Sequence, residues 1–87
     1  EAIYTGYRNL LTKNQWNLLI GLAKEGEVGK PLSKEFIRKY ELGTSSSVQV
    51  SLKRLNEQEM IYFDENTWKI YDLYFSEWLS SWIQPSV

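Results

Sequence analysis

Six basic side chains, Lys30, Lys34, Arg38, Lys39, Lys53 and Arg54, fall within residues 30–54 against Glu35 and Glu41, a net charge of +4. The flanking stretches differ. Residues 1–29 balance three basic against three acidic groups, while residues 55–87 set Lys69 against Glu57, Glu59, Asp64, Glu65, Asp72 and Glu77, a net of −5. A local excess of Lys and Arg is what a phosphate-facing surface requires, and ordinary solvated helix faces carry it too. Between the basic groups lie the polar run Thr44–Ser47 and, beyond it, Gln49. Ser46 and Gln49 could meet base edges, and the run as a whole could hold phosphate, since at a helix N-terminus free N–H groups and the helix dipole favour an anion. A simple helix cap would use the same residue types.

Other chemistries have little to work with. The chain has no cysteine and no histidine, so it offers no disulfide, thiolate, imidazole base or common zinc-ligand set. Glu57 and Glu59 are two apart on a helix and point in different directions, which suits solvated charge rather than a catalytic pair. No apolar run approaches a membrane span and no signal-peptide pattern is present. At 87 residues the chain is one domain, small for an unassisted core, but its 13 aromatics, four of them Trp, offset that.

The elements that must position the basic block follow from periodicity. Ile3, Tyr7, Leu10 and Leu11 make one helical stripe. Thr12 with Gln15 forms a capping box, with Leu11 and Trp16 placed as a hydrophobic staple. Trp16, Leu19, Ile20 and Ala23 continue as a buried stripe until Gly26, and residues 27–31 read as a loop. Ser33 caps a short helix carrying Phe36, Ile37 and Tyr40. Residues 41–44 are a turn in which Gly43 supplies positive φ. The next helix, residues 45–58, turns Val48, Leu52 and Leu55 inward. At about 100° per residue its opposite face carries Ser46, Ser47, Val50, Lys53 and Arg54, with Gln49 at the margin. Residues 61–64 and 67–71 are β-prone and flank a hairpin tip at Glu65–Asn66. Asp72 caps a last helix bearing Phe75, Trp78, Leu79, Trp82 and Ile83, with Tyr74 beside them.

Two helices joined by a short Gly-containing turn and followed at once by a hairpin predict a winged helix-turn-helix: mainly α with a small β-hairpin wing. The expected core is Trp16, Leu19, Ile20, Phe36, Ile37, Val48, Leu52, Leu55, Ile61 and Phe63. For a duplex-binding surface, Ser46, Gln49, Val50 and Arg54 would face bases, an outward Val suiting a thymine methyl. Lys34, Arg38, Lys39 and Lys53 would face phosphates, with Ser47 at the helix start and Lys69 the one cation of an otherwise acidic wing.

Three stretches resemble the C-terminal winged helix of archaeal-type P-loop ATPases: Thr12–Gly26 (TKNQWNLLIGLAKEG), Ser33–Tyr62 (SKEFIRKYELGTSSSVQVSLKRLNEQEMIY) and Ile70–Leu79 (IYDLYFSEWL). The likeness runs from Leu11 to Leu79, and the final aspartate-then-aromatic stretch is its most specific part. Leu73 stands where that family often has proline, which leaves Asp72 able to cap. The resemblance implies an upstream domain that binds ATP and Mg in the same cytoplasmic polypeptide. This chain has no G-x-x-x-x-G-K-[ST] run, so no cofactor-binding residue is transferred to it. Opening on Glu1 with a helix-like segment, the chain reads as a piece of a longer protein. Residues 1–11 would end a connecting helix, 12–84 form the domain and 85–87 a tail. The expected role is a non-catalytic module binding double-stranded DNA, with no metal and no membrane. The alternative is a regulatory module that packs on the ATPase domain or a partner, which the weak net charge, acidic wing and aromatic last helix favour.

Overall fold

The computed structural model describes residues 2–82, with side chains from residue 6 onward. Five helices and one hairpin follow in the order α1 (Ala2–Leu10), α2 (Lys13–Glu25), α3 (Lys34–Lys39), α4 (Ser45–Glu57), β1 (Ile61–Asp64), β2 (Thr67–Ile70) and α5 (Leu73–Ser80). The winged arrangement expected from the sequence is present, and the caps that set it are those the sequence supplies. Thr12 and Gln15 close the capping box at 3.0 Å in both directions. Ser33 Oγ accepts from Phe36 N at 3.2 Å. Thr44 Oγ1 accepts from Ser47 N at 3.1 Å, and Asp72 Oδ1 accepts from Tyr74 N and Phe75 N.

The central element is α2, buried on every face from Gln15 to Ala23, as a helix enclosed by neighbours must be. Its Leu18, Leu19 and Leu22 are fully buried, as are Leu42, Val48, Leu55 and Leu79 from the rest of the chain. One approach is closer than usual. A Cβ on Gly21 would lie 2.8 Å from Phe36 Cζ and 2.9 Å from Tyr40 Cδ2, so the missing side chain is what lets α3 lie against α2. At the far end, Trp16 gathers Phe75, Trp78 and Trp82 with ring centroids 5.5–6.2 Å away, and Tyr7 brings α1 edge-on to Phe75 at 5.1 Å.

Both helices of the helix-turn-helix end in the same way. Leu42 N donates to Ile37 O at 2.9 Å and Glu41 N to Arg38 O at 3.3 Å; Met60 N donates to Leu55 O and Glu59 N to Asn56 O, each at 3.0 Å. These are paired Schellman bonds. They hold Glu41 at φ 54° and Glu59 at φ 59°, where glycine is the usual occupant. Gly43 takes its expected positive φ of 80°, but Glu41 shares the burden of the turn.

The wing is an antiparallel hairpin in the register Ile61↔Ile70, Tyr62↔Lys69, Phe63↔Trp68, Asp64↔Thr67, with Glu65 and Asn66 both at positive φ in the tip. The loop after α2 adds an unforeseen partner: Val28 bridges Trp68 through N–H···O bonds of 3.1 and 2.8 Å. This third edge was not visible as a strand because one apolar residue between Glu27 and Gly29 has no periodicity to show.

Two core expectations and one residue of the α1 stripe need correction. Phe63 is 54% exposed. It shares a face with Ile61, but burial falls off along β1 toward the wing tip, and Phe63 rests on its cross-strand partner Trp68, 5.2 Å away. Ile37 is only half-buried, on the rim of the core. Leu10 is 83% exposed: Tyr7 and Leu11 turn to the core, and Leu10 falls on the margin of the stripe where α1 ends. Ile3 and Ile83, also expected to pack, lie outside the residues whose side chains are described.

Candidate nucleic-acid interface

Two shallow grooves adjoin on either side of the turn between α3 and α4. The first lies between α3 and the start of α4, and its charged lining is Lys34, Arg38 and Glu41. Lys34 and Arg38 stand one helical turn apart, which brings them to one face. The second follows the outer face of α4. Ser46, Ser47, Val50, Lys53, Arg54 and Glu57 line it, opposite Thr12, Asn14 and Gln15 from the start of α2. The inward phase holds as well: Val48, Leu52 and Leu55 are buried, and the face they leave outward is the polar and basic one. Val50 sits in the middle of that face, 62% exposed.

The ten residues singled out from the sequence therefore separate. Ser46, Ser47, Val50, Lys53 and Arg54 share the α4 face, and Lys34 and Arg38 share the neighbouring groove. Gln49 is exposed on α4 but lines neither groove. Lys39 turns toward α2 instead, where its Nζ lies 2.9 Å from Glu25 and 5.6 Å from the Tyr40 ring centre. Lys69 stands on the wing among three carboxylates, Glu65 at 3.4 Å, Glu27 at 3.8 Å and Asp64 at 4.0 Å. Loss of solvation opposes its charge, but the Glu65 hydrogen bond and the three carboxylate fields outweigh that and raise its pKa. Lys69 is charged but already neutralised, and the wing tip presents a net negative surface.

Sequence reasoning missed the residue that fixes α4. Asn14 Nδ2 donates to Leu42 O at 2.8 Å, and Asn14 Oδ1 accepts from Ser51 Oγ at 2.6 Å. One amide on α2 thus ties the turn and α4 together, with Ser51 itself buried. Its partners are 28 and 37 residues away, and no local pattern could have announced them. A second tie holds α3. Tyr40 Oη donates to Glu25 at 2.6 Å. The hydrogen bonds from Tyr40 and then Lys39 hold the Glu25 carboxyl below its ordinary value, while burial and the Glu25 bond push the Tyr40 hydroxyl up.

Among the described residues no group of three His, Cys, Asp or Glu is placed to hold a metal ion, and no helix is long and apolar enough to cross a membrane.

A turn-linked helix pair braced on a central helix, with an antiparallel wing directly after the second helix, defines the winged helix class. Within that class the chain belongs to the family described as "Probable winged helix domain", whose model matches residues 2–81. No curated protein and no solved structure matches it.

Proposed function

We propose that this domain binds double-stranded DNA through the outer face of α4, as a non-catalytic module. The observation that carries the reading is the composition of that face: an exposed Val50 at its centre, Ser46 and Ser47 a turn before it, and Lys53 and Arg54 just after. A helix presenting short polar groups, one methyl-bearing side chain and two long cations to solvent fits a major groove, which is wide enough to admit it. Lys34 and Arg38 beside it extend the positive surface toward a phosphate backbone. The acidic wing stays out of the duplex in this reading, so contact is confined to the helix-turn-helix. An amide-resolved NMR titration with a short mixed-sequence duplex at low salt tests it. Perturbations should centre on residues 34–38 and 44–54. Perturbations confined to other surfaces, or none, would refute it.

The three stretches that resemble archaeal-type P-loop ATPases support placing the domain at the C-terminal side of such an enzyme, in the cytoplasm, with ATP and Mg held by an upstream domain. Asp72 capping α5 and the aromatic side chains that follow it are in keeping with that assignment. The coding sequence immediately upstream of Glu1 tests it, since a phosphate-cradling glycine loop is expected there.

A second reading, an interaction module, draws on the pairing of Lys39 and Lys69 with carboxylates, which leaves fewer cations for phosphate than the sequence suggests.

A further inference from the structure

The four most exposed large apolar side chains of the described residues are Leu10, Tyr74, Leu73 and Tyr71, at 83, 78, 76 and 64%. Leu10, at the end of α1, and Tyr71, at the β2–α5 junction, stand on either side of one groove, and Leu73 and Tyr74 begin the helix that follows. This groove has a volume of about 360 Å³. Tyr7, Leu11, Met60 and Phe75 form its apolar floor and walls, and Leu10 and Tyr71 stand at its lips. Single exposed apolar residues are ordinary on any surface, but Leu10 and Tyr71 rim a concave apolar floor, which marks an interaction surface.

The groove shares no lining residue with the face of α4 assigned to DNA, so the two surfaces are independent. Its electrostatics point to one kind of occupant. The charged residues that line it are Glu59 and Asp72, both acidic, and no Lys or Arg does. The Schellman bonds at Glu59 fix its backbone at the groove edge. This rim lies within the stretch of the chain that carries a net charge of −5.

We propose that this groove docks a segment of a partner polypeptide that carries apolar anchor side chains followed by Lys or Arg. The anchors would fill the floor between Tyr7 and Met60, displacing water from apolar surface, and the cations would meet Glu59 and the neighbouring acidic rim. A second copy of the domain is a poorer occupant, because two such surfaces facing each other would oppose like charges.

The test uses the whole 87-residue chain and three synthetic probes: acetyl-LLKLKK-amide, its glutamate counterpart acetyl-LLELEE-amide, and acetyl-SSKSKK-amide. Each is titrated to low millimolar concentration while backbone amides are followed by NMR. The lysine-leucine probe should shift residues 7–11, 58–60 and 71–75, and the other two should not. Glu59→Lys should weaken that binding about fivefold, because it removes one exposed ion pair and sets a like charge in its place. Leu10→Ser should weaken it as well. Neither substitution touches a buried side chain, and unchanged dispersion elsewhere in the spectrum verifies that the variants fold. Equal binding of the lysine and glutamate probes, or binding indifferent to Glu59→Lys, overturns the proposal. So does the absence of groove shifts with any probe. Concentration-dependent dimerisation abolished by Leu10→Ser would assign the groove to a second copy and overturn it too.

Discussion

Replacing Asn14 with alanine should destabilise the domain, because it cuts the tie that joins α2 to the turn and to α4. The amide makes two bonds, to Leu42 O at 2.8 Å and from Ser51 Oγ at 2.6 Å, and both partners belong to buried residues. Removing it leaves a carbonyl and a hydroxyl without their partner, and each such group costs about 1–3 kcal/mol. Asn14 itself is half-buried, so water recovers part of the loss, and the total settles at about 2–3 kcal/mol. For a domain of this size that is a fall in Tm of roughly 10–20 °C. Urea denaturation with an unchanged m-value is the assay. Ser51→Ala alone should cost only about 1 kcal/mol, because it removes one bond and the Asn14 oxygen can turn to water. The double variant should be less unstable than the two losses added, by about 0.5–2 kcal/mol. A loss below about 0.5 kcal/mol for Asn14→Ala, or strict additivity in the cycle, would refute the brace.

Three further outcomes follow from the same packing. Gly21→Ala should destabilise, because overpacking against Phe36 and Tyr40 costs about 1–3 kcal/mol against a helix-propensity gain of about 1; a more stable variant in urea would show that α3 can move aside. Glu41→Gly should stabilise by about 0.5–1 kcal/mol, the relief of a left-handed residue less the extra freedom of glycine in the unfolded chain; an unchanged or lower midpoint would contradict the assigned turn. Because Glu25 is held below its ordinary value of 4.5, its contribution is present above that pH and is lost as pH falls through the lowered folded-state value. Tyr40→Phe removes the first cause of that depression, so the Glu25 titration followed by carboxyl carbon NMR should move upward, and an unmoved midpoint would dismiss the Tyr40 bond.

The helices and their ends were legible because their signals are local. Thr12, Ser33, Thr44 and Asp72 each cap the helix that follows, and the phase of Val48, Leu52 and Leu55 set which side of α4 faces out. What could not be read is tertiary. Leu42 looks like a turn residue and is fully buried, its N–H tied to Ile37 O and its carbonyl to Asn14. Val28 pairs with Trp68 across a 40-residue separation (68 minus 28). The candidate site shows the same division: residue type and spacing collected the cations, but only the fold shows that Glu25 takes Lys39 and that Glu27 joins Asp64 and Glu65 around Lys69. The basic block is therefore smaller in space than in sequence.

The most direct test of the central claim is duplex binding by the folded domain as a function of salt, measured by fluorescence anisotropy beside a Lys53→Ala/Arg54→Ala variant of equal stability. With Lys34, Arg38 and Lys53 placed for phosphates and Arg54 for bases beside them, log K should fall with log salt at a slope of about −2 to −4. The double substitution should weaken binding at every salt concentration and lower the slope by about 1 to 2. Absence of duplex binding at low salt, or affinity unchanged by the double substitution, would contradict the assignment of α4 as the DNA-reading helix.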